Sequence, residues 1–299
     1  MRKFGRLAQR LFNTPLMLRP EKAEMLCAAL VDRLGIAKLD RLDGTSIDAA
    51  QLRLKADDWG AEYTPKTARD MYTIDRGVAT LSIDGTLVHK LGGVEPSSGM
   101  VGYDCIDKIL TDIRANDDAK VVAVDNDSPG GETAGCFELA KKIYANSARF
   151  GGKPIYAIVN EMSCSADYAL ACACDRIAGP ETLVAGSIGV WTMIVDFTKA
   201  LDKDGIAPFI IRAGDRKARG GPYEAPDQAT VDKLQAWVDE TWRMFANLVS
   251  KCRNIPVEKI LDQQGDWYPG DEAVKLGLVD VIASPDEIFE VLRAEAARR

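Results

Sequence analysis

Two short runs limit the folds open to this chain. Val121-Val122-Ala123-Val124 and the segment from Pro154 to Val159 are apolar without alternation, the pattern of strands buried on both faces. Each run ends in a turn signal and passes into a helical pattern. The first goes through Asp125-Asn126-Asp127-Ser128-Pro129-Gly130-Gly131 into a helix carried by Leu139, Ala140, Ile143 and Tyr144. The second goes through a Ser165 turn into a helical segment, 166–174, whose part from Tyr168 to Cys174 is small and apolar on almost every side and therefore predicts a buried helix. Strands buried on both faces need helices to cover them, so the alternation predicts an α/β domain with largely parallel sheets.

The flanking segments extend this reading. Val78 to Ile83 alternates as a strand and stops at Asp84-Gly85, a turn signal. Leu91 to Gly102 is rich in Gly, Pro and Ser and reads as a mobile loop, whereas Tyr103 to Arg114 has helical spacing through Ile106, Ile109, Leu110 and Ile113. Beyond the second unit, Ile188 to Val195 and Pro208 to Arg212 read as strands, with a short helix from Phe197 to Leu201 between them. A polar loop from Ala213 to Pro226 leads to a long amphipathic helix through Val231, Leu234, Val238, Phe245, Leu248 and Val249. Shorter helices at Pro256 to Leu261 and Gly270 to Leu276 follow, then an apolar run, Leu278 to Ile282, and a last helical segment, Asp286 to Ala297. Residues 1–70 read as a helical N-terminal extension and linker. Met25, Leu26, Leu30 and Leu34 recur at helical spacing before Gly35, and a polar, patternless stretch runs from Lys38 to Lys66. The expected division is 1–70 extension, 71–285 main domain and 286–299 C-terminal helix and tail.

Charge and composition then narrow the chemistry. A formal net charge of -7 argues against nucleic-acid binding, which needs a basic surface. The 299 residues contain one histidine, His89, so a Ser-His-Asp enzyme would have to use it and a His-based metal site would have one such ligand. His89 lies at the edge of a Gly-rich loop with no carboxylate pattern around it and is not expected to be catalytic. The seven cysteines form no regular framework, and Cys172-Ala173-Cys174 lies in an apolar helix with no second Cys or His cluster. No metal is expected, and free thiols suit a reducing compartment. Arg2, Lys3, Arg6 and Arg10 are not followed by a signal-peptide core, and no window approaches the roughly 20 apolar residues of a membrane span. A protein that is neither secreted nor membrane-spanning is expected. Gly130-Gly131 between strand and helix resembles a phosphate loop, but neither nucleotide-binding glycine motif is present. A paired glycine also lets backbone approach a ligand and frees an N–H for it, half of an oxyanion hole in acyl chemistry.

Ser165 then has two readings, a plain N-cap or a nucleophile presented on the turn above a helix N-terminus. A serine nucleophile needs a base. With His89 set aside, a carboxylate or a lysine remains, and a Ser-Lys dyad is a known solution for acyl transfer. Lys217, flanked by Arg216 and Arg219 in a loop containing Gly214, Gly220 and Gly221, is a reasonable candidate, although composition alone does not select it among the lysines.

Residues 74–285 resemble peptidase family S49, the signal peptide peptidase A family, in its branch of phage head maturation proteases. The resemblance rests on five segments in the family's order: Asp127-Ser128-Pro129-Gly130-Gly131, Met162-Ser163-Cys164-Ser165-Ala166, Gly186-Ser187-Ile188-Gly189-Val190, Ala213-Gly214-Asp215-Arg216-Lys217 and Tyr268-Pro269-Gly270-Asp271-Glu272-Ala273. It implies a Clp-protease/crotonase-like spiral of ββα units with Ser165 as nucleophile, Lys217 as general base and Ser187 aiming the lysine amine. It further implies an oxyanion hole from the Gly130-Gly131 pair, with the second glycine's N–H, and from Ala166. No cofactor is implied. The partners implied are polypeptide substrates (scaffold, portal or capsid proteins) and other copies of the chain, in the bacterial host cytoplasm or the phage procapsid. The alternatives are a crotonase-fold head component without activity and a cellular cytoplasmic peptidase of the family. A scaffold region commonly follows the protease domain in this branch, so it is expected on a separate chain or beyond a truncation at Arg299. One position departs from the family, which usually has glycine two residues after the nucleophile where this chain has Asp167. Asp167 is expected to point away from the lysine or to cap the helix start, where negative charge is favourable.

Overall fold

A computed structural model describes residues 16–18, 38–40, 46–48 and 67–299, except 92–93 and 96–98. In chain order the strands are β1 (Leu16–Leu18), β2 (Lys38–Asp40), β3 (Ser46–Asp48), β4 (Tyr72–Asp75), β5 (Val78–Asp84), β6 (Thr86–Val88), β7 (Val94–Glu95), β8 (Met100–Gly102), β9 (Val121–Ser128), β10 (Gly130–Glu132), β11 (Ile155–Cys164), β12 (Arg176–Gly179), β13 (Val184–Gly186), β14 (Trp267–Pro269) and β15 (Val281–Ile282). The helices are α1 (Tyr103–Ala115), α2 (Cys136–Ala145), α3 (Ala166–Ala171), α4 (Thr198–Lys203), α5 (Gln228–Arg253), α6 (Val257–Leu261), α7 (Gly270–Lys275) and α8 (Pro285–Ala296).

The main sheet has the order β14-β13-β11-β9-β5-β4, and its centre, β5, β9 and β11, is parallel. Both faces of β9 are buried, which explains its unbroken apolar run. Val122 and Val124 enter the larger core with Ile106, Ile109 and Ile113 of α1, Leu139 and Ile143 of α2, and Phe245 and Val249 of α5. Val121 and Ala123 face the other way, onto Ile288, Leu292 and Ala296 of α8. A second sheet, β1-β10-β6-β8-β7, lies where the chain leaves β9.

Strand β11 is the longest among the described residues, and along one edge it takes two neighbours. Tyr156 to Ile158 pair with β12, and Met162 to Cys164 pair with β13. On its other edge the register with β9 shifts between Val159 and Ser163, and Glu161 in that interval has φ 74°. This is the geometry of a bulge, which re-aims the strand beyond it. The last residues of β11 therefore arrive at Ser128 of β9 (paired with Ser163) and at Gly186 of β13 (paired with Cys164).

The structure departs from the sequence reading in the shorter elements. Ile188–Val195 and Pro208–Arg212 form no strands apart from a bridge between Trp191 and Leu16, and Phe209 and Ile211 are 90% and 98% exposed. Local β-propensity at 208–212 finds no edge to pair with, whereas the short β12 and β13 are strands because β11 offers them an edge. The stretch 91–102, expected as a mobile loop, contains β7 and β8. Leu16–Leu18, read as part of a helical extension, is a strand laid antiparallel on Gly130–Glu132, with Met17 fully buried. The polar stretch after Lys38 contains the antiparallel pair β2 and β3. The helix expected around Met25 to Leu34 lies outside the described residues.

Helix α5 packs on the sheet's larger core through Phe245, Ala246, Leu248, Val249 and Cys252, with Phe245 fully buried and set edge-on against Phe137 at 6.3 Å and 64°. Phe245→Ala is expected to cost about 3–5 kcal/mol in urea unfolding, because the site has little room to collapse. A loss under about 1 kcal/mol would mean that the helix is held by other contacts.

Candidate active site

Ser165 follows β11 directly and precedes α3. Its N–H donates to the Gly186 carbonyl at 2.8 Å, and its own carbonyl accepts the Ala169 N–H at 3.0 Å, so the residue is clamped between strand β13 and the first turn of the helix. The clamp holds it at φ 58°, ψ -120°, a conformation ordinarily left to glycine and costing on the order of 1–3 kcal/mol for any other residue. The N-cap alternative does not survive. Ser165 occupies the cap position, but its side chain makes no capping hydrogen bond. Ser165 is thus 2% exposed, strained, and its hydroxyl is unbonded among the described residues.

The glycine pair packs against it. Gly130 has φ 104°, and a Cβ there would fall 2.2 Å from the Met17 carbonyl oxygen, 2.8 Å from Ser165 Cβ and 3.0 Å from the Ala166 nitrogen. Only glycine lets backbone come this close. At Gly131 a Cβ would meet the Leu87 carbonyl oxygen at 1.9 Å. Ser128 Oγ donates to the Gly85 carbonyl at 2.6 Å and accepts the Gly130 N–H at 3.2 Å. The Gly130 N–H is thus committed within the loop, and its contribution is close approach. Ser187 follows Gly186, has φ 53°, and donates its N–H to the Asp266 carbonyl at 2.7 Å.

Gly130, Ser165 and Ala166 are therefore in mutual contact, with Ser187 one residue beyond the Gly186 that anchors Ser165. Lys217 is not joined to them. It is exposed, its N–H donates to the Gly214 carbonyl at 3.0 Å, and its amine makes no hydrogen bond or ion pair among the described residues. His89 is exposed too, with its backbone N–H on Glu132 Oε2 at 2.7 Å. Among the described residues no group of three or more His, Cys, Asp or Glu is placed to hold a metal ion, and no helix is long and apolar enough to cross a membrane.

Of the two dispositions expected for Asp167, the structure shows the first, a side chain turned away from Lys217 onto Ser163 and Asn126. It is fully buried and caps nothing. Its two oxygens accept Ser163 Oγ at 2.6 Å and Asn126 Nδ2 at 2.8 Å. Burial pushes its carboxyl up to about 7; the two hydrogen bonds oppose this and the charge of Asp127 adds to it. Cys136 Sγ, on the Ala166 carbonyl at 3.4 Å, lies in the same buried region, and burial raises its thiol. Sequence reasoning marked Asp167 by its place in the motif but missed Asn126 and Ser163. The signal present for them was polarity, an Asn and a Ser within strands otherwise buried.

Residues 147–299 match the model of Peptidase family S49. The Capsid assembly protease C of Escherichia phage lambda is 36% identical over 98% of this chain, and the Head-tail preconnector protein GP5 of Enterobacteria phage P21 is 33% identical over 94%. The chain spans 66% of the length of the first and 55% of the second. Protease 4 of Haemophilus influenzae is 26% identical over 88% of this chain, which spans 42% of its length.

The burial of Asp167 makes stability depend on pH. Unfolding returns the carboxyl to its ordinary value of 3.8, against about 7 when folded, so between these values the unfolded chain releases a proton that the folded chain keeps. The contribution is complete below pH ~4 and is lost as the pH rises through ~7, on the order of 4 kcal/mol in all. Asp167→Asn, which does not titrate, is expected to gain on the wild type by that order between pH ~4 and ~8 in denaturant unfolding. A difference independent of pH would contradict the buried carboxyl.

Proposed function

This chain belongs to peptidase family S49, and on that premise we propose that it is a serine endopeptidase with Ser165 as nucleophile and Lys217 as general base. The supporting observation is Ser165 itself, held uncapped in a glycine-like conformation against a paired glycine. In this reading the neutral Lys217 amine takes the Ser165 hydroxyl proton as Oγ attacks the scissile carbonyl. The N–H groups of Gly131 and Ala166 receive the oxyanion, the lysine returns its proton to the leaving amine, and water then hydrolyses the acyl-enzyme. Ser187 orients the lysine.

A lysine acts as base only when neutral, which requires shielding from water or neighbouring cations. Lys217 stands exposed beside Arg216 and Arg219, so the reading includes self-association that covers the segment carrying it. The sheets are taken to form the Clp-protease/crotonase-like spiral, with the peptidase domain over residues 71–285. The substrates are taken as polypeptides of the assembling phage head (scaffold, portal or capsid proteins) in the host cytoplasm or procapsid, by analogy with the two phage relatives. The exposed amine of Lys217 favours one second reading, a head component of the same fold without activity.

Wild-type protein incubated with head proteins or a casein-like substrate is expected to give discrete fragments. Ser165→Ala and Lys217→Ala should each lower the rate by on the order of 1,000-fold or more, with His89→Ala unchanged. Full activity in either of the first two variants overturns the dyad, and an inert wild type favours the structural reading.

A further inference from the structure

We propose that Asp167 is a positioning residue for Ser165, pinning the helix after the nucleophile to two strands at once. The inference rests on the reading of Ser165 as nucleophile and adds a residue that reading does not include. Ser163 and Asp167 flank Ser165 two residues to either side, so the 2.6 Å hydrogen bond between them spans the turn. Asn126, reaching Asp167 at 2.8 Å, comes from the neighbouring strand β9.

The backbone explains why such a tie is useful here. The ladder between β11 and β9 is continuous from Ile155 to Val159, breaks, and resumes at the single pair Ser163 with Ser128. Asn126 is the last residue of β9 paired before the break, opposite Val159. The hydrogen bonds through Asp167 therefore cross the interval where main-chain pairing is missing, immediately before the strained serine. A carboxylate suits the task because its two oxygens accept from two donors on two different strands.

Neither charge pairing nor packing accounts for the arrangement. The titratable groups that interact electrostatically with Asp167 are Asp127 of β9, Tyr103 of α1, Cys136 of α2 and Cys174 beyond α3, all acids, and none supplies a countercharge. The arrangement also leaves Asn126 Oδ1 buried without a hydrogen bond among the described residues, a destabilising feature that a packed interior normally avoids. Filling the space needs only an apolar side chain, as at Ala166 and Ala169.

The test compares full-length wild type, Asp167→Ala, Asp167→Asn and Ser163→Ala on one peptide substrate, with folding checked by circular dichroism. Asp167→Ala is expected to lower kcat on the order of 10- to 100-fold with KM little changed. Asp167→Asn, which keeps an acceptor and the shape, restores most of the loss. Should Asp167→Ala fail to fold, Ser163→Ala carries the test, with a smaller fall in kcat expected. Folded Asp167→Ala or Ser163→Ala with the wild-type kcat overturns the inference, as does an effect confined to KM or an Asn variant as impaired as Ala. A wild type without turnover overturns the reading of Ser165 itself, which separates that failure from this one.

Discussion

The conformation of Ser165 is the constraint on which the rest of the site depends. At φ 58°, ψ -120° the residue is strained, and it persists only because its surroundings leave it no alternative. Its N–H is taken by Gly186, its carbonyl by Ala169, and Gly130 packs on its Cβ from the side. These contacts come from three separate elements, each positioned by the parallel sheet. The bulge near Glu161 lets one strand serve both as a doubly buried core element and as the arm that delivers the serine.

Holding a serine in this way costs stability, and the costs are concentrated around it. Asp167 is buried with its carboxyl displaced towards neutrality, Asn126 keeps an unbonded acceptor, and Ser165 and Ser187 both carry positive φ. The large two-sided core offsets them, with β9 sending alternate residues to helices on opposite faces. A strained, polar cluster embedded in an otherwise apolar interior is the pattern expected where function competes with stability.

Much of this was legible in the sequence, for identifiable reasons. Val121–Val124 and 154–159 read correctly as strands because burial on both faces removes alternation, and the Ser165 turn was visible because Tyr168 to Cys174 after it is small and apolar on almost every side. Residues 208–212 misled because their β-branched and aromatic content is a local property, while strand formation needs a partner edge; Ile211 is 98% exposed. Strands β12 and β13 were missed for the converse reason, since their pairing is supplied by β11 and not by their own composition. The tie from Asp167 to Asn126 spans 41 residues, and no local pattern announces a contact of that range.

The single chain assembles the serine, the glycine pair and the turn, and leaves Lys217 in water. The proposed dyad therefore places its demand on whatever covers residues 213–219, and the strained serine should be reactive only once that cover is in place. The most direct measurement is covalent labelling of the assembled protein with a fluorophosphonate, followed by peptide mass spectrometry to locate the adduct. The account predicts one adduct, on Ser165, absent when Lys217 is replaced by alanine. An unlabelled Ser165 in the assembled protein, or an adduct on another serine, would contradict it.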